Sequence, residues 1–175
     1  MTTRDLERLL GAAGATASKV ATITGQLRET GRLPKAGRGL NAPCITARHA
    51  ATVLATVAGT ARANEAGRRV EKLERLASNA APAGASFLDR MAALLQDPEL
   101  VKGIGEVRVS RTISRATILH RDGTFEEFVG GRQYDLDEQF RSVGELPGGL
   151  LTKVALLLQH PGKKKRRRRV QADAN

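Results

Sequence analysis

The sequence has few aromatics, almost no cysteine and no long apolar run. It has no tryptophan, one tyrosine and four phenylalanines in 175 residues. Proteins that grip single strands stack bases on aromatic rings, and no ring here falls in a basic segment, so single-stranded nucleic acid is a disfavoured partner. The one cysteine, Cys44, cannot form an internal disulfide and has no metal-binding company around it, so a reducing cytoplasm is expected. No apolar run reaches the ~18 residues of a membrane span. The N-terminus MTTRDLERLL carries Asp5 and Glu7 and lacks the apolar stretch of a secretory leader, so no membrane is expected among its partners. Histidine is scarce too. His49 falls on a helix one turn beyond its cap, as a surface or contact residue, and His120 and His160 have no obvious partner. No Ser–His–Asp arrangement, P-loop or zinc spacing is present, so neither enzyme activity nor a cofactor or metal is expected.

Positive charge is abundant and segregated. The chain carries +11 overall. Residues 1–60 hold eight Lys/Arg against three acids, residues 61–162 hold fourteen of each, and residues 163–175 hold seven basic residues against Asp173. A neutral middle between two basic ends points to two sites for a polyanion. Arginine outnumbers lysine 21 to 8, and with abundant alanine this suits a GC-rich bacterial or phage genome.

Periodicity predicts a helix over about 4–10, capped by Thr2 or Thr3, with Leu6, Leu9 and Leu10 as its stripe. GAAGA at 11–15 breaks it, and a second helix starts near Ser18, capped by Thr16 or Ser18. Val20, Ile23 and Leu27 share its buried face. Gly31 stops this helix and Pro34 prevents a restart. Thr46 caps a third helix over 47–57. A charged helix follows over 63–78, with Glu65–Arg69 and Glu71–Arg75 four apart on an exposed side. A further helix is expected over 86–96. Residues 106–129 are rich in Val, Ile and Thr around an Arg-Asp-Gly turn and read as two or three antiparallel strands of unassigned register. GGRQYDLDEQF reads as loop, and 149–160 as a last amphipathic helix. The run of seven cations that follows buries nothing and repels itself, so the tail is expected to be disordered.

Three constellations invite a binding role. Two short helices around a glycine turn in residues 3–33 match a helix-turn-helix, whose second helix enters the major groove. Its exposed face offers Thr16, Ser18, Lys19, Thr22 and Gln26, short hydrogen-bonding groups plus one cation, with no acid from 15 to 28. An ordinary αα-hairpin has the same apolar pattern. Next comes PKAGRGLNAP. Its glycines let backbone N–H groups approach phosphates, Arg38 between Gly37 and Gly39 can enter a narrow minor groove, and Arg32 and Lys35 can pair with phosphates. A basic linker has the same composition. Last is the tail run Lys163, Lys164, Lys165, Arg166, Arg167, Arg168 and Arg169, a phosphate counter without sequence preference or simply a solubilising end.

The stretch TTRDLERLLGAAGATASKVATITGQLRETGRLPKAGRG, within residues 2–60, resembles the winged helix-turn-helix modules of bacterial and phage DNA-binding proteins, with PKAGRGLNAP in the place of the wing. The third helix and the charged helix after it have no assigned place in that module. The order of helices, β-hairpin region and basic tail is similar to the small subunit of phage terminase, a likeness of topology only. The expectation is an α+β protein with a helix-turn-helix domain at 1–60, a helical plus β-hairpin core or oligomerisation region at 61–162, and a basic tail at 163–175. The leading function is double-stranded DNA binding as a non-enzymatic transcriptional regulator, expected to form a homo-oligomer and to work in the cytoplasm of a bacterium or phage-infected host. A phage DNA-packaging component is the first alternative. The second is a host-directed inhibitor that holds a protein partner through residues 61–162.

Overall fold

Each end of the first two helices is set by local chemistry. The computed structural model describes residues 1–35, 43–78, 85–130 and 142–159. Helix α1 (Thr3–Ala12) starts at a capping box. The Thr2 hydroxyl accepts from the Asp5 amide at 3.3 Å, and the Asp5 carboxylate accepts from the Thr2 amide at 2.8 Å. Burial works against ionising Asp5, but the Thr2 hydrogen bonds outweigh it and hold the carboxyl below its usual range. The helix closes in a Schellman motif, with Ala15 N–H donating to the Leu10 carbonyl at 2.9 Å and Gly14 N–H to Gly11 at 3.0 Å. Gly14 sits at φ +94°, a conformation that side chains with a Cβ rarely adopt. Helix α2 (Ala17–Glu29) ends the same way at Gly31, φ +73°. Leu6, Leu10, Val20, Ile23 and Leu27 are buried between the two helices and what lies beneath them.

Beneath them is α3 (Ala47–Gly59), the central element. Residues 50–60 are all buried, and many are alanine or threonine, small enough for neighbours to approach closely. Its N-terminus is closed by a second capping box. The Thr46 hydroxyl accepts from the His49 amide at 3.3 Å, and His49 Nδ1 accepts from the Thr46 amide at 3.2 Å. Helix α3 packs on α2, on α5 (Phe87–Gln96) and on the sheet. Thus α3, the helix without a place in the winged module, is the core helix of the chain.

The charged helix is shorter than its periodicity predicts. A 3-10 turn (Ala63–Glu65) leads into α4 (Ala66–Glu74), which stops there because Leu76 turns into the core and Ala77–Ser78 form a short strand, β1. Two other elements were not anticipated. Helix α6 (Pro98–Lys102) starts with Asp97 as its cap, and β5 (Val143–Pro147) runs directly into α7 (Gly148–Gln159). The Val/Ile/Thr-rich region forms three strands, β2 (Ile104–Ser110), β3 (Arg115–His120) and β4 (Phe125–Val129). All pair antiparallel in the order β1-β4-β3-β2-β5. Both β2–β3 and β3–β4 are joined by four residues, 111–114 and 121–124.

One sheet face is covered. Val107 and Val109 pair across to Ile118 and Ala116, and these pack with Phe128 and Leu146 against the helices. Phe87 of α5 meets Phe128 at 5.4 Å between ring centroids, tilted by 58°. Where β5 crosses the end of α3 the two backbones touch, and a Cβ on Gly144 would overlap the Ala58 carbonyl. The opposite face is open, with Arg108 beside Glu106 and Glu145 and with Phe125 66% exposed. The chain is therefore α+β, and no helix among the described residues is long and apolar enough to cross a membrane.

Candidate nucleic-acid interface

The amino-terminal half of α2 presents polar groups to solvent. Val20, Ile23, Thr24 and Leu27 face inward, which turns Ala17, Ser18, Ala21 and Thr22 to solvent. Thr16 is the N-cap and is exposed, but its side chain caps nothing, so the first-turn amides of α2 receive no side-chain acceptor from it. No acid falls in this first turn to offset the positive end of the helix. The Thr22 hydroxyl donates to the Ser18 carbonyl at 2.9 Å and keeps its own oxygen open as an acceptor.

Nearby carboxylates are already engaged. Asp5 is held in its cap. Glu7 accepts from the Thr24 hydroxyl at 2.8 Å and pairs with Arg28 at 3.4 Å, tying α1 to α2. Glu29 is exposed at the far end of the helix. Among the cations, Arg28 pairs with Glu7, Arg32 with Glu74 and Arg48 with Asp89. Arg4, Arg8, Lys19 and Lys35 form no ion pair among the described residues. Arg4, Arg8 and Lys35 are exposed.

Two of the sequence-predicted contacts serve the fold. The Gln26 carbonyl oxygen accepts from the Gly67 amide at 3.1 Å, and Arg32 forms a two-pronged bond with Glu74. Both tie α2 and its exit to α4, so either would have to leave a partner to reach a base or phosphate. Of the glycine-rich stretch, Pro34 and Lys35 are described and Arg38 is not. The tail cations from Lys163 to Arg169 also lie outside the described residues, as does most of GGRQYDLDEQF.

Sequence reasoning missed Arg111. It lies in the β2–β3 turn, in the stretch where charges cancel, and no periodicity singles it out. Its Nε donates to the Ala58 carbonyl at 3.1 Å and its Nη1 to the Ser142 hydroxyl at 3.4 Å. Together with Lys19 it lines a groove of about 270 Å³ between the α1–α2 turn, the end of α3 and β5, over Leu10, Val57 and Leu146. Burial, and then repulsion from Arg111, push the Lys19 ammonium below its ordinary pKa.

The turn that carries Arg111 is anchored by Arg69. The spacing of Glu65 and Arg69 predicts an exposed pair, but Arg69 is 7% exposed and turns inward. Its Nη2 donates to the Ser110 carbonyl and, at 3.3 Å, to that of Ile113. It has no carboxylate partner among the described residues, and burial lowers its pKa. The exposed-helix pattern fails here because Gly59 leaves room for the guanidinium against α3.

No match was found. Compared with known proteins, the chain matches no family model, no curated protein and no solved structure.

One further cluster of titratable groups ties the sheet to α5. His120, which lacked an obvious partner in the sequence, meets Glu126 at 2.9 Å, and Glu126 also takes two hydrogen bonds from Arg90, at 2.8 and 2.7 Å. These bonds, Arg90 first, hold the Glu126 carboxyl below its usual range although burial opposes them. Cys44 is exposed. No group of three or more His, Cys, Asp or Glu that could hold a metal ion occurs among the described residues.

Proposed function

We propose that this chain is a non-enzymatic, double-stranded DNA-binding protein of bacterial or phage type, a transcriptional regulator working in the cytoplasm. Helices α1 and α2 act as the helix-turn-helix, α2 presents its amino-terminal half to the major groove, and the stretch around Arg38 serves as the wing. The observation that carries this reading is the electrostatic imbalance at α2. Short hydrogen-bonding side chains surround an acid-free helix N-terminus, the neighbouring acids Asp5 and Glu7 are occupied, and Arg4, Arg8, Lys19 and Lys35 are left without ion-pair partners among the described residues. Of the first three helices, α2 also has the right exposure, since α3 is buried along nearly its whole length. Thr16, Ser18 and Thr22 contact base edges or nearby phosphates, and Lys19, Lys35, Arg38 and the tail cations neutralise phosphates. Gln26 and Arg32 play a smaller part because Gly67 and Glu74 hold them. Self-association through the middle of the chain accompanies this role, supported by exposed apolar side chains at Leu100, Phe125, Leu156 and Leu157.

The test replaces Lys19, Lys35 and Arg38 together by alanine in a chain ending at Gly162, so that the tail cannot mask the loss. Duplex binding is followed by fluorescence anisotropy over a salt series. Each lost phosphate contact should lower the slope of log K against log salt by ~0.9. Unchanged affinity would sink the proposal.

A further inference from the structure

We propose that Lys19 and Arg111 form a two-cation clamp for one phosphate-class anion in the groove between the α1–α2 turn and β5. The two residues are far apart in the sequence, one in the basic N-terminal segment and one in the neutral middle, and the fold brings them to one groove. Neither has an ion-pair partner among the described residues, so two like charges share a space whose one lining acid, Glu145, pairs with neither of them. Repulsion and partial burial disfavour that arrangement in the empty protein. An anion between them replaces the repulsion with attraction, and that attraction offsets the cost of burial.

Arg111 is held for such a role. Its amide donates to the Ser142 carbonyl at 2.7 Å, its Nε to Ala58 and its Nη1 to the Ser142 hydroxyl. Arg69 grips the carbonyls of Ser110 and Ile113 on either side of it. The Nη2 of Arg111 and the Nζ of Lys19 make no hydrogen bond among the described residues, so each has donors to give. The acid that also lines the groove is Glu145, which sits 3.9 Å from Arg108. A phosphate offers several acceptor oxygens, enough to bridge a guanidinium and an ammonium at once. The groove holds about nine water volumes, room for a phosphate or diphosphate group but not for a duplex. A DNA backbone phosphate at its mouth and a free phosphate compound share this chemistry.

The test uses the full chain and two probes. In the first arm inorganic pyrophosphate is titrated by calorimetry into the native protein, Lys19→Gln and Arg111→Gln. Saturable binding weakened at least tenfold in both variants is expected. Absence of saturable binding, or native-like binding by Lys19→Gln, overturns the clamp. Lys19→Gln decides alone should Arg111→Gln fail to fold, because Lys19 makes no hydrogen bond that the fold needs. In the second arm duplex affinity is measured across salt. Because both side chains hold one phosphate, each single variant and the double variant should lose the same ~0.9 from the slope. A double loss puts the residues on separate phosphates and overturns the clamp. The duplex arm rests on the DNA-binding proposal, and the pyrophosphate arm does not. Pyrophosphate binding with no duplex binding, or with an unchanged salt slope, supports the clamp as a site for a free phosphate compound. In the first of those cases the DNA-binding proposal falls.

Discussion

The Arg32 guanidinium meets the Glu74 carboxylate with two parallel bonds, Nε to Oε1 at 2.9 Å and Nη2 to Oε2 at 3.0 Å. The pair joins the exit of α2 to the last turn of α4, across 42 residues of sequence. With side chains 22% and 34% exposed, it is neither a loose surface pair nor a buried one. A two-pronged geometry adds strength, and partial exposure screens it, so about 1 kcal/mol is a fair expectation. Arg32→Ala should lower unfolding stability by about that amount in urea. A double-mutant cycle with Glu74→Ala should recover most of it as coupling. Arg32→Ala should also alter the salt dependence of duplex binding less than Lys19→Ala does. A larger change at Arg32 would show that DNA takes Arg32 away from Glu74.

His49 makes α3 sensitive to acid. Its Nδ1 accepts from the Thr46 amide, which needs an unprotonated nitrogen, and burial lowers its pKa. The unfolded chain therefore takes up this proton at higher pH than the folded one, near the ordinary value of about 6.5. Stability from His49 is complete above that value and is lost as pH falls through the lower folded value. His49→Gln should keep the capping box and remove this part of the pH slope. Urea unfolding of both proteins from pH 7.5 to 5 measures it. Parallel stability curves would refute the assignment.

Local signals were legible in the sequence, and tertiary ones were not. Thr46 and Gly31 marked helix ends correctly, and of the two caps open for the first helix Thr2 is the one used, because caps and positive-φ glycines act within a few residues. The strand register of 106–129 was not readable because both connections are four residues long, outside the tight-hairpin rules. Strand β5 was missed for another reason. Val143, Gly144 and Leu146 give little alternating signal, and Gly144 is required by the Ala58 carbonyl, which no local pattern reveals. Arg69 looked like half of a surface pair and is a buried anchor. At the candidate site, the exposed face of α2 was readable from its apolar period. The engagement of Gln26 by Gly67 and of Arg32 by Glu74, and the approach of Arg111 to Lys19, depend on how α4 and the sheet dock on α2 and α3.

The two basic ends of the chain should separate experimentally into affinity and preference. A run of Lys and Arg can neutralise phosphates but has no fixed geometry for reading base edges, so the tail should add affinity of one kind to every duplex. Deleting residues 163–175 removes seven cations, so the slope of log K against log salt should fall by several units. The ratio of best-site to random-site affinity should stay the same or rise. Thr22→Ala should do the reverse. Among the described residues its hydroxyl bonds only to the Ser18 carbonyl, so its loss should leave stability nearly intact. If it contacts a base, the affinity ratio should drop by about 1–3 kcal/mol at a nearly constant salt slope. Gln26→Ala is a less clean probe, because it also frees the Gly67 amide and so changes the docking of α4. Selected and scrambled duplexes compared over one salt titration give both quantities. Preference that vanishes with the tail and survives Thr22→Ala would place recognition at the C-terminal end and remove α2 from the groove.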